Sequence, residues 1–355
     1  MKSLFLFALP FCSCCFAQEP LLIDEAWVGD ILEIKKQELR GVYIIDKTLP
    51  ILGDSEIADI LSRTEKAFTE QLGRDITVKI TQTLDIESVF SVLNDAKADK
   101  YCSDYIINFS SSCDLQAFTD KFETLPGETQ GLRERLLPLI RSGRPNMSKR
   151  WLEFYGLKNG TQKTEKDRAR IAEDLSSLFA DSWKRASTIT NKGAPVFTSG
   201  RIHYYSIPRW RLLFNNESPE FDFILTNAPL LSLAPLPSLH LIQRGSLTGG
   251  TLINTLSPFT HSKKETAAAK KLLLISHFIY YFDDPFFAGR DLKTGTDRAE
   301  ATAYTLLMEY IHARFDMPDS YSRNDIMRPA RHFKFKEWIK RARENPFSKD
   351  TVPSR

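Results

Sequence analysis

The segment from Gly41 to Leu84 constrains the fold most, because it places one amphipathic helix between two apolar strands. Gly41 to Asp46 is an apolar run of strand length, and Asp75 to Leu84 alternates apolar with polar positions. The helix between them is predicted to begin at an Asp54 cap and to end at Gly73. Its apolar stripe consists of Ile57, Ile60, Leu61, Phe68 and Leu72. A strand, a helix and a strand of these lengths predict a right-handed crossover between parallel strands.

The rest of the chain adds a helical region and then further strands. Residues 86–187 contain several apolar-periodic pieces and are predicted to form a helical insertion. Residues 221–225 are strand-like. The stretch from Leu239 to Leu256 carries irregularly placed glycines, which predicts an edge strand with a bulge or a turn. Together these patterns predict an α/β (α+β) fold.

Residues 1–17 have the layout of a secretory signal peptide. A positive start at Lys2 precedes an apolar run to Phe11, and a small-residue site follows at Ala17. We therefore expect export to a secreted or periplasmic location, with an N-terminal extension over residues 18–40. A buried N-terminal strand is one alternative for this segment. A lipid anchor on one of its cysteines is another.

Cys102 and Cys113 are the two cysteines that follow this segment. In an exported chain, two cysteines separated by a short loop are expected to be oxidised to a disulfide. Two independent buried thiols are the alternative. A zinc site does not follow from them, because two sulfurs alone do not complete a tetrahedral shell.

The charges are spread evenly along the chain. Its 355 residues include 48 Lys and Arg against 45 Asp and Glu, which gives a net charge of +3. Nucleic acid is therefore not an expected partner, since electrostatic binding of it requires a dense basic surface. No apolar run after residue 17 is long enough to cross a membrane. We predict one domain over residues 41–345, which contains the helical insertion, and a flexible tail over 346–355.

The residues that could take part in catalysis or metal binding are concentrated after Asp297. Asp297 is predicted to cap a strongly apolar helix. This helix contains residues 308–312, with the sequence Met-Glu-Tyr-Ile-His. A Pro-Asp turn follows at 318–319, and residues 326–329 then have the sequence Ile-Met-Arg-Pro.

This order of features resembles the active-site helix and Met-turn of matrixin-like zinc metallopeptidases, a metzincin family of the zincins. In that family a His-Glu-x-x-His sequence places two imidazoles on one helix face to bind zinc, and its Glu is the general base. A third ligand follows, and a methionine in a tight turn lies beneath the metal. The resemblance assigns the general base to Glu309, a zinc ligand to His312 and the Met-turn to Met327. It also implies a zincin-like mixed sheet.

The chain departs from the family pattern at three positions. Met308 occupies the first-ligand position, and a thioether is a poor zinc ligand compared with imidazole. Phe315 stands where the family has glycine, and Asp319 is the one competent donor in the third-ligand region. We therefore expect no tight zinc site and impaired hydrolysis of peptides.

Two functions remain open on these grounds. The first is an exported metallopeptidase-like protein that keeps a peptide- or protein-binding edge at residues 239–256, where family substrates pair with a strand. The second is an exported α/β binding or scaffold protein unrelated to peptidases. In that case His312 is an ordinary histidine, and Met308 and Met327 fill the core. His240, His261 and His277 are further candidates for a replacement ligand.

Overall fold

A computed structural model describes residues 38–93, 187–198, 201–214, 219–231, 247–254, 271–315, 317, 323–328, 330 and 333–347, together with Lys166 and Ala169. The predicted signal peptide, the disulfide between Cys102 and Cys113, Asp319 and most of the predicted helical insertion lie outside these residues. Within the described part of the chain, no helix is long and apolar enough to span a membrane.

The described chain forms a mixed five-stranded sheet with helices packed against it. The strands of this sheet are β1 (Glu38–Ile45), β2 (Thr77–Asp85), β5 (Phe223–Thr226), β8 (Gly250–Asn254) and β9 (Lys271–Ser276). Their spatial order is β2-β1-β5-β9-β8; the first four strands are parallel, and β8 runs antiparallel to β9. The α/β class predicted from the sequence is thus confirmed at this level.

Two small antiparallel pairs lie outside this sheet. One joins β3 (Thr190–Asn191) to β4 (Ala194–Pro195), and the other joins β6 (Leu230–Leu231) to β7 (Leu247–Thr248). The helices that lie wholly within the described ranges are α1 (Asp54–Leu72), α2 (Ile86–Phe90), α3 (Ile202–Tyr205), α4 (Ile207–Phe214), α5 (Phe278–Tyr281), a 3₁₀ turn (Pro285–Phe287), α6 (Gly295–Phe315) and α7 (Phe335–Glu344).

The predicted strand, helix and strand near the N-terminus are confirmed, with β1 and β2 parallel. The helix ends where predicted, because Gly73 adopts a left-handed conformation with φ of 62° and its N–H bonds to the Thr69 carbonyl. Its start differs from the prediction. Gly53 is the cap, Asp54 is the first helical residue, and the Glu56 carboxylate accepts the Gly53 N–H at 3.0 Å. The first strand also begins earlier than predicted, at Glu38.

The predicted edge strand is divided into two. Leu247–Thr248 pairs with β6, whereas Gly250–Asn254 is the outermost strand of the five-stranded sheet. The division falls at Gly249, whose backbone lies so close to α5 that a Cβ there would be 2.2 Å from the Tyr280 hydroxyl oxygen. Residues 232–246, which include part of the predicted strand and His240, lie outside the described residues.

The centre of the sheet is buried on both faces. β5 is buried throughout, and β9 is buried from Leu272 to Ser276, as expected for parallel strands covered on both sides. On one side, α1 packs along α6, and the Gln71 side chain of α1 donates to the Ala342 carbonyl of α7.

A close approach between β1 and β5 allows a first stability prediction. Gly41 pairs with Phe223, and a Cβ at Gly41 would lie 2.2–2.5 Å from the fully buried Phe223 ring. Gly41→Ala is therefore expected to lower the free energy of unfolding by about 1–3 kcal/mol, because the ring has to shift in a packed core. Urea denaturation measures the change. Gly289→Ala is the matched control, since nothing lies within 4 Å of a Cβ there; equal effects in both variants would contradict the packing argument.

Candidate functional site

The helix that carries the candidate site, α6, has a capped start and a buried middle. Its start lies two residues before the predicted cap, and Asp297 lies in its first turn. The Asp297 carboxylate accepts the N–H groups of Lys293 and Thr294 at 2.8 and 2.9 Å and binds Lys336. These contacts outweigh the opposing effect of burial and lower the pKa of Asp297 to about 2. Every residue from Ala301 to Ile311 is buried.

The outermost strand of the sheet meets α6 at Glu309. A Cβ at Gly250 would lie 2.8 Å from Cγ and 2.9 Å from Oε1 of Glu309, and 2.9 Å from Cγ2 of Thr305. A glycine at the start of β8 therefore allows the strand to lie directly on this part of the helix. Glu309 is 5% exposed, so the proposed general base lies beneath the edge strand.

Met308 and His312 lie one helical turn apart on the same face of α6. Met308 is 5% exposed and belongs to the main hydrophobic core, whereas His312 is partly exposed. The Nδ1 atom of His312 is hydrogen-bonded to the Met317 carbonyl oxygen. Such a bond fixes the orientation of a histidine ring.

The segment around Met327 is fixed by its own polar residues. The Asp325 carboxylate accepts the Met327 N–H at 3.0 Å and is bound by the Arg323 guanidinium. The same guanidinium lies 3.7 Å from the Met317 sulfur, measured from Nη1 to Sδ. Met327 itself is fully buried. Hydrogen bonds and one sulfur contact therefore connect His312 through Met317, Arg323 and Asp325 to the predicted Met-turn.

Helix α7 also binds this turn through two side chains. The Trp338 indole N–H donates to the Ile326 carbonyl at 3.0 Å, and the Arg341 guanidinium donates to the Arg328 carbonyl at 2.6 Å. The sequence did not indicate these contacts, because nothing in a short motif shows which distant helix packs on it.

The described residues do not fit a zinc ion. They contain no group of three or more His, Cys, Asp or Glu side chains that could hold a metal. At the candidate site they offer one imidazole and one thioether on the relevant helix face, whereas a zinc shell uses N, S⁻ or carboxylate donors. The remaining sequence-predicted ligand, Asp319, lies outside the described residues.

His277 does not join this site. It follows β9 and is fully buried, and its Nε2 lies 3.0 Å from the Tyr43 hydroxyl oxygen. Burial lowers the pKa of His277 to about 3 and raises the pKa of Tyr43 to about 12. Both groups are therefore neutral at ordinary pH. His261, a further ligand candidate, lies outside the described residues.

A second polar cluster lies at the carboxyl ends of β1 and β5, on either side of the point where the strand order reverses. Asp46 is fully buried there and binds the Arg201 guanidinium, while its Oδ2 accepts the Tyr205 hydroxyl at 2.8 Å. The Asn227 side chain, which follows β5, bonds to both the N–H and the carbonyl of Asp46. Burial alone would raise the pKa of Asp46, but the hydrogen bonds from Arg201, Thr48 and Tyr205 hold it below its usual value.

The only sign of this cluster in the sequence is an Asp at the end of a predicted strand. Arg201 and Tyr205 lie far from Asp46 along the chain, so no local pattern joins them to it. Tyr205 belongs to α3 and Arg201 caps it, so their bonds to Asp46 join α3 to the end of the sheet.

Comparison of the chain with protein-family models, with curated proteins and with solved structures finds no match in any of the three. The function is therefore argued from the sheet, from the contacts of α6 and from the donor atoms between residues 308 and 327.

Proposed function

We propose that this chain is an exported, zincin-like protein of the matrixin type that has lost zinc-dependent hydrolysis and binds an extended peptide along β8. The contact between β8 and Glu309 of α6 is the observation that carries the proposal. In the matrixin resemblance, an edge strand precedes the active-site helix and pairs with the substrate. The export is proposed from residues 1–17 alone.

The layout of the described chain supports the resemblance. A strand, a helix and a parallel strand come first, and an edge strand precedes the helix that carries Glu309 and His312. A tight turn with a buried methionine follows that helix and is connected to His312 through Met317. This is the order that the sequence motif predicts for a zincin-like domain.

The hydrogen-bonding direction of β8 supports binding of an extended chain. The Gly249 carbonyl accepts the Ser276 N–H of β9 at 2.8 Å. Hydrogen-bonded positions alternate along an antiparallel pair, so Thr251 and Ile253 also face β9. Leu252 then directs its backbone N–H and carbonyl toward the outer edge of the sheet, where an added strand would pair.

The donor atoms of α6 support the loss of hydrolysis. Zinc-dependent hydrolysis needs a metal-bound water, and Met308 replaces the imidazole that would help to hold that metal. The buried position of Glu309 beneath β8 adds to this argument, because a general base has to reach the water that it activates.

One observation favours the second function, a binding or scaffold protein unrelated to peptidases. Helix α6 is buried on all sides from Ala301 to Ile311, as an ordinary core helix would be. In that interpretation Met308 and Met327 serve packing alone. The two functions differ in whether an extended chain pairs with β8.

A fluorescein-labelled, reduced casein tests the proposed function, because one unfolded probe reports both binding and cleavage. We expect a saturable rise in fluorescence anisotropy, with no release of labelled fragments and no effect of the zinc chelator 1,10-phenanthroline. Cleavage that the chelator stops would show an active zinc peptidase. Absence of saturable binding would favour the scaffold function.

Leu252 provides a matched pair of variants for the same assay. Leu252→Pro removes an N–H directed away from β9, so the sheet keeps its internal bonds while an added strand loses a partner. Leu252→Ala shortens the same side chain and keeps the N–H. The proposal expects binding to fall in the proline variant and to persist in the alanine variant, with both unfolding cooperatively in urea. Equal binding by the two would contradict pairing along β8.

A further inference from the structure

We propose that the outer edge of β8 pairs, antiparallel, with the β8 edge of a second copy of this chain, and that this dimer regulates access to the edge. The two copies are related by a two-fold axis at Leu252. The inference rests on the proposed function in one respect, because both use the same strand edge. Self-pairing itself requires neither peptidase ancestry nor a bound peptide.

The opposite edge of the sheet, β2, is protected against such pairing. The Val78 N–H donates to the Glu65 carboxylate of α1 at 2.8 Å, so an added strand cannot use it. A register shift next to Gly41 places one extra residue in β2, and such a bulge bends a strand. The half-exposed side chains of Lys79 and Glu38 add charges there. Bulges and charges are devices by which proteins prevent edge-to-edge association.

The five described residues of β8 lack these devices. Their sequence, Gly-Thr-Leu-Ile-Asn, contains neither a charge nor a proline, and their register with β9 is continuous. Gly250 bonds through its N–H and its carbonyl to the Thr248 hydroxyl, at 3.3 and 2.8 Å. Leu252 is the next position that directs its backbone outward, and it lies at the centre of the strand. A partner strand therefore meets this edge at Leu252.

An axis at Leu252 gives a self-complementary register. Leu252 faces Leu252 of the second copy, and the two residues exchange their N–H and carbonyl bonds as in any hydrogen-bonded antiparallel pair. Thr251 faces Ile253, and Gly250 faces Asn254, so no like charges oppose each other. A contact in which the same patch serves both copies closes at two chains and does not continue into a fibre.

The length of the edge sets the strength of the dimer. Each copy contributes five residues of strand, which places the contact among small, transient interfaces. We therefore expect a dissociation constant on the order of 10–100 µM. The edge is then open in dilute solution and covered at high concentration, so self-pairing limits the range over which a peptide binds.

Sedimentation equilibrium of the natural chain, from well below to well above this concentration, tests the dimer. A reducing agent is present throughout, so that the cysteines cannot join two chains. We expect the mean mass to rise from that of one chain toward that of two. A mass that stays at one chain over the whole range would overturn the inference.

A charge exchange at position 252 tests the register. Leu252→Lys and Leu252→Glu each place like charges opposite each other at the axis, which should raise the dissociation constant at least about tenfold. An equimolar mixture of the two places Lys opposite Glu and should restore the dimer. Thr77→Lys adds a charge at an exposed position of β2 and is the matched control, expected to dimerise as the natural chain does.

Cooperative urea unfolding shows that each of these variants is folded. Leu252→Pro removes the outward N–H without adding a charge, so it replaces a charged variant that does not fold and is expected to be monomeric. Undiminished dimerisation of the variants at position 252, or a mixture of folded Lys and Glu variants that stays monomeric, would contradict pairing at Leu252.

Casein binding by the natural chain separates this inference from the proposed function. A chain that binds casein and stays monomeric at high concentration refutes self-pairing and leaves the peptide-binding function standing. A chain that dimerises and binds no casein supports self-pairing and removes the peptide-binding function. Where both occur, unlabelled casein should lower the energy transfer between chains that carry a donor or an acceptor dye at the N-terminus. Casein that binds without lowering this transfer would show that the dimer contact lies elsewhere.

Discussion

Replacing Met308 and Pro318 together by histidine is expected to create a tight zinc site, whereas the natural chain is expected to have none. Met308→His restores the first imidazole one turn from His312, whose Nδ1 is already bonded to the Met317 carbonyl. Pro318→His supplies a third imidazole in the region where the family has its third ligand. Met308→His with Asp319→His tests the neighbouring position. A submicromolar dissociation constant, about −8 kcal/mol or better, is the expected result in at least one of the two variants.

Zinc retained through gel filtration, measured by inductively coupled plasma mass spectrometry, reports the gain. Met308→Gln with Pro318→His is the matched control, because it makes the same second change and offers no imidazole at position 308. Adding His312→Gln to the repaired chain should remove the zinc again, since it deletes a predicted ligand. If neither repaired chain gains zinc over the control, the backbone of α6 and its turn is not of the metzincin type.

The local part of the fold could be predicted because local chemistry determines it. The helical stretch of α1 follows from its apolar stripe, and its end follows from Gly73, which can adopt the left-handed conformation that ends a helix. The parallel pairing of β1 and β2 follows from the length of the helix between them. A periodic pattern of this kind is visible in one stretch of sequence.

The central strand β9 could not be predicted from the sequence pattern, because it is buried on both faces. Its apolar run continues directly into α5, and a continuous apolar run shows neither the period of a strand nor that of a helix. The division of the predicted edge strand at Gly249 depends on Tyr280, which belongs to another element. Contacts between distant segments set both features.

The candidate site shows the same division between local and distant information. The spacing of Met308 and His312 predicts that they share a helix face, and the helix is present. The contact of Glu309 with Gly250 could not be predicted, and neither could the hydrogen bond from α7 to the Met327 segment, because both join parts of the chain that are distant in sequence. The sequence therefore identifies the candidate residues, and the fold determines which of them contact the sheet edge.

Replacing Asp46 by alanine is expected to destabilise the fold by about 1.5–3 kcal/mol at neutral pH, because the fully buried carboxylate accepts hydrogen bonds from several groups of the chain. The Arg201 guanidinium loses this partner but keeps its ion pair with Glu87. The lost contacts include the Tyr205 hydroxyl at 2.8 Å and the Thr48 N–H at 2.9 Å, both from groups that pack at the end of β1. Urea denaturation at pH 7 measures the loss. Asp46→Asn keeps the size of the side chain and removes its charge, so the difference between the two variants separates the charge from the packing.

The dependence on pH tests whether the charge of Asp46 is responsible. Its pKa is lower in the folded than in the unfolded state, since the bonds from Arg201, Thr48 and Tyr205 outweigh burial. Its charge therefore adds stability above the unfolded pKa of about 3.9, and this stability is lost as the pH falls through the lower, folded pKa. The natural chain and Asp46→Asn should accordingly differ most near neutral pH and converge in acid.

A double-mutant cycle with Arg201→Ala should return a coupling free energy of about 0.5–3 kcal/mol between Asp46 and Arg201. A coupling near zero, or a constant difference down to pH 3, would show that Asp46 stabilises the end of the sheet by packing and neutral hydrogen bonds instead of by its charge.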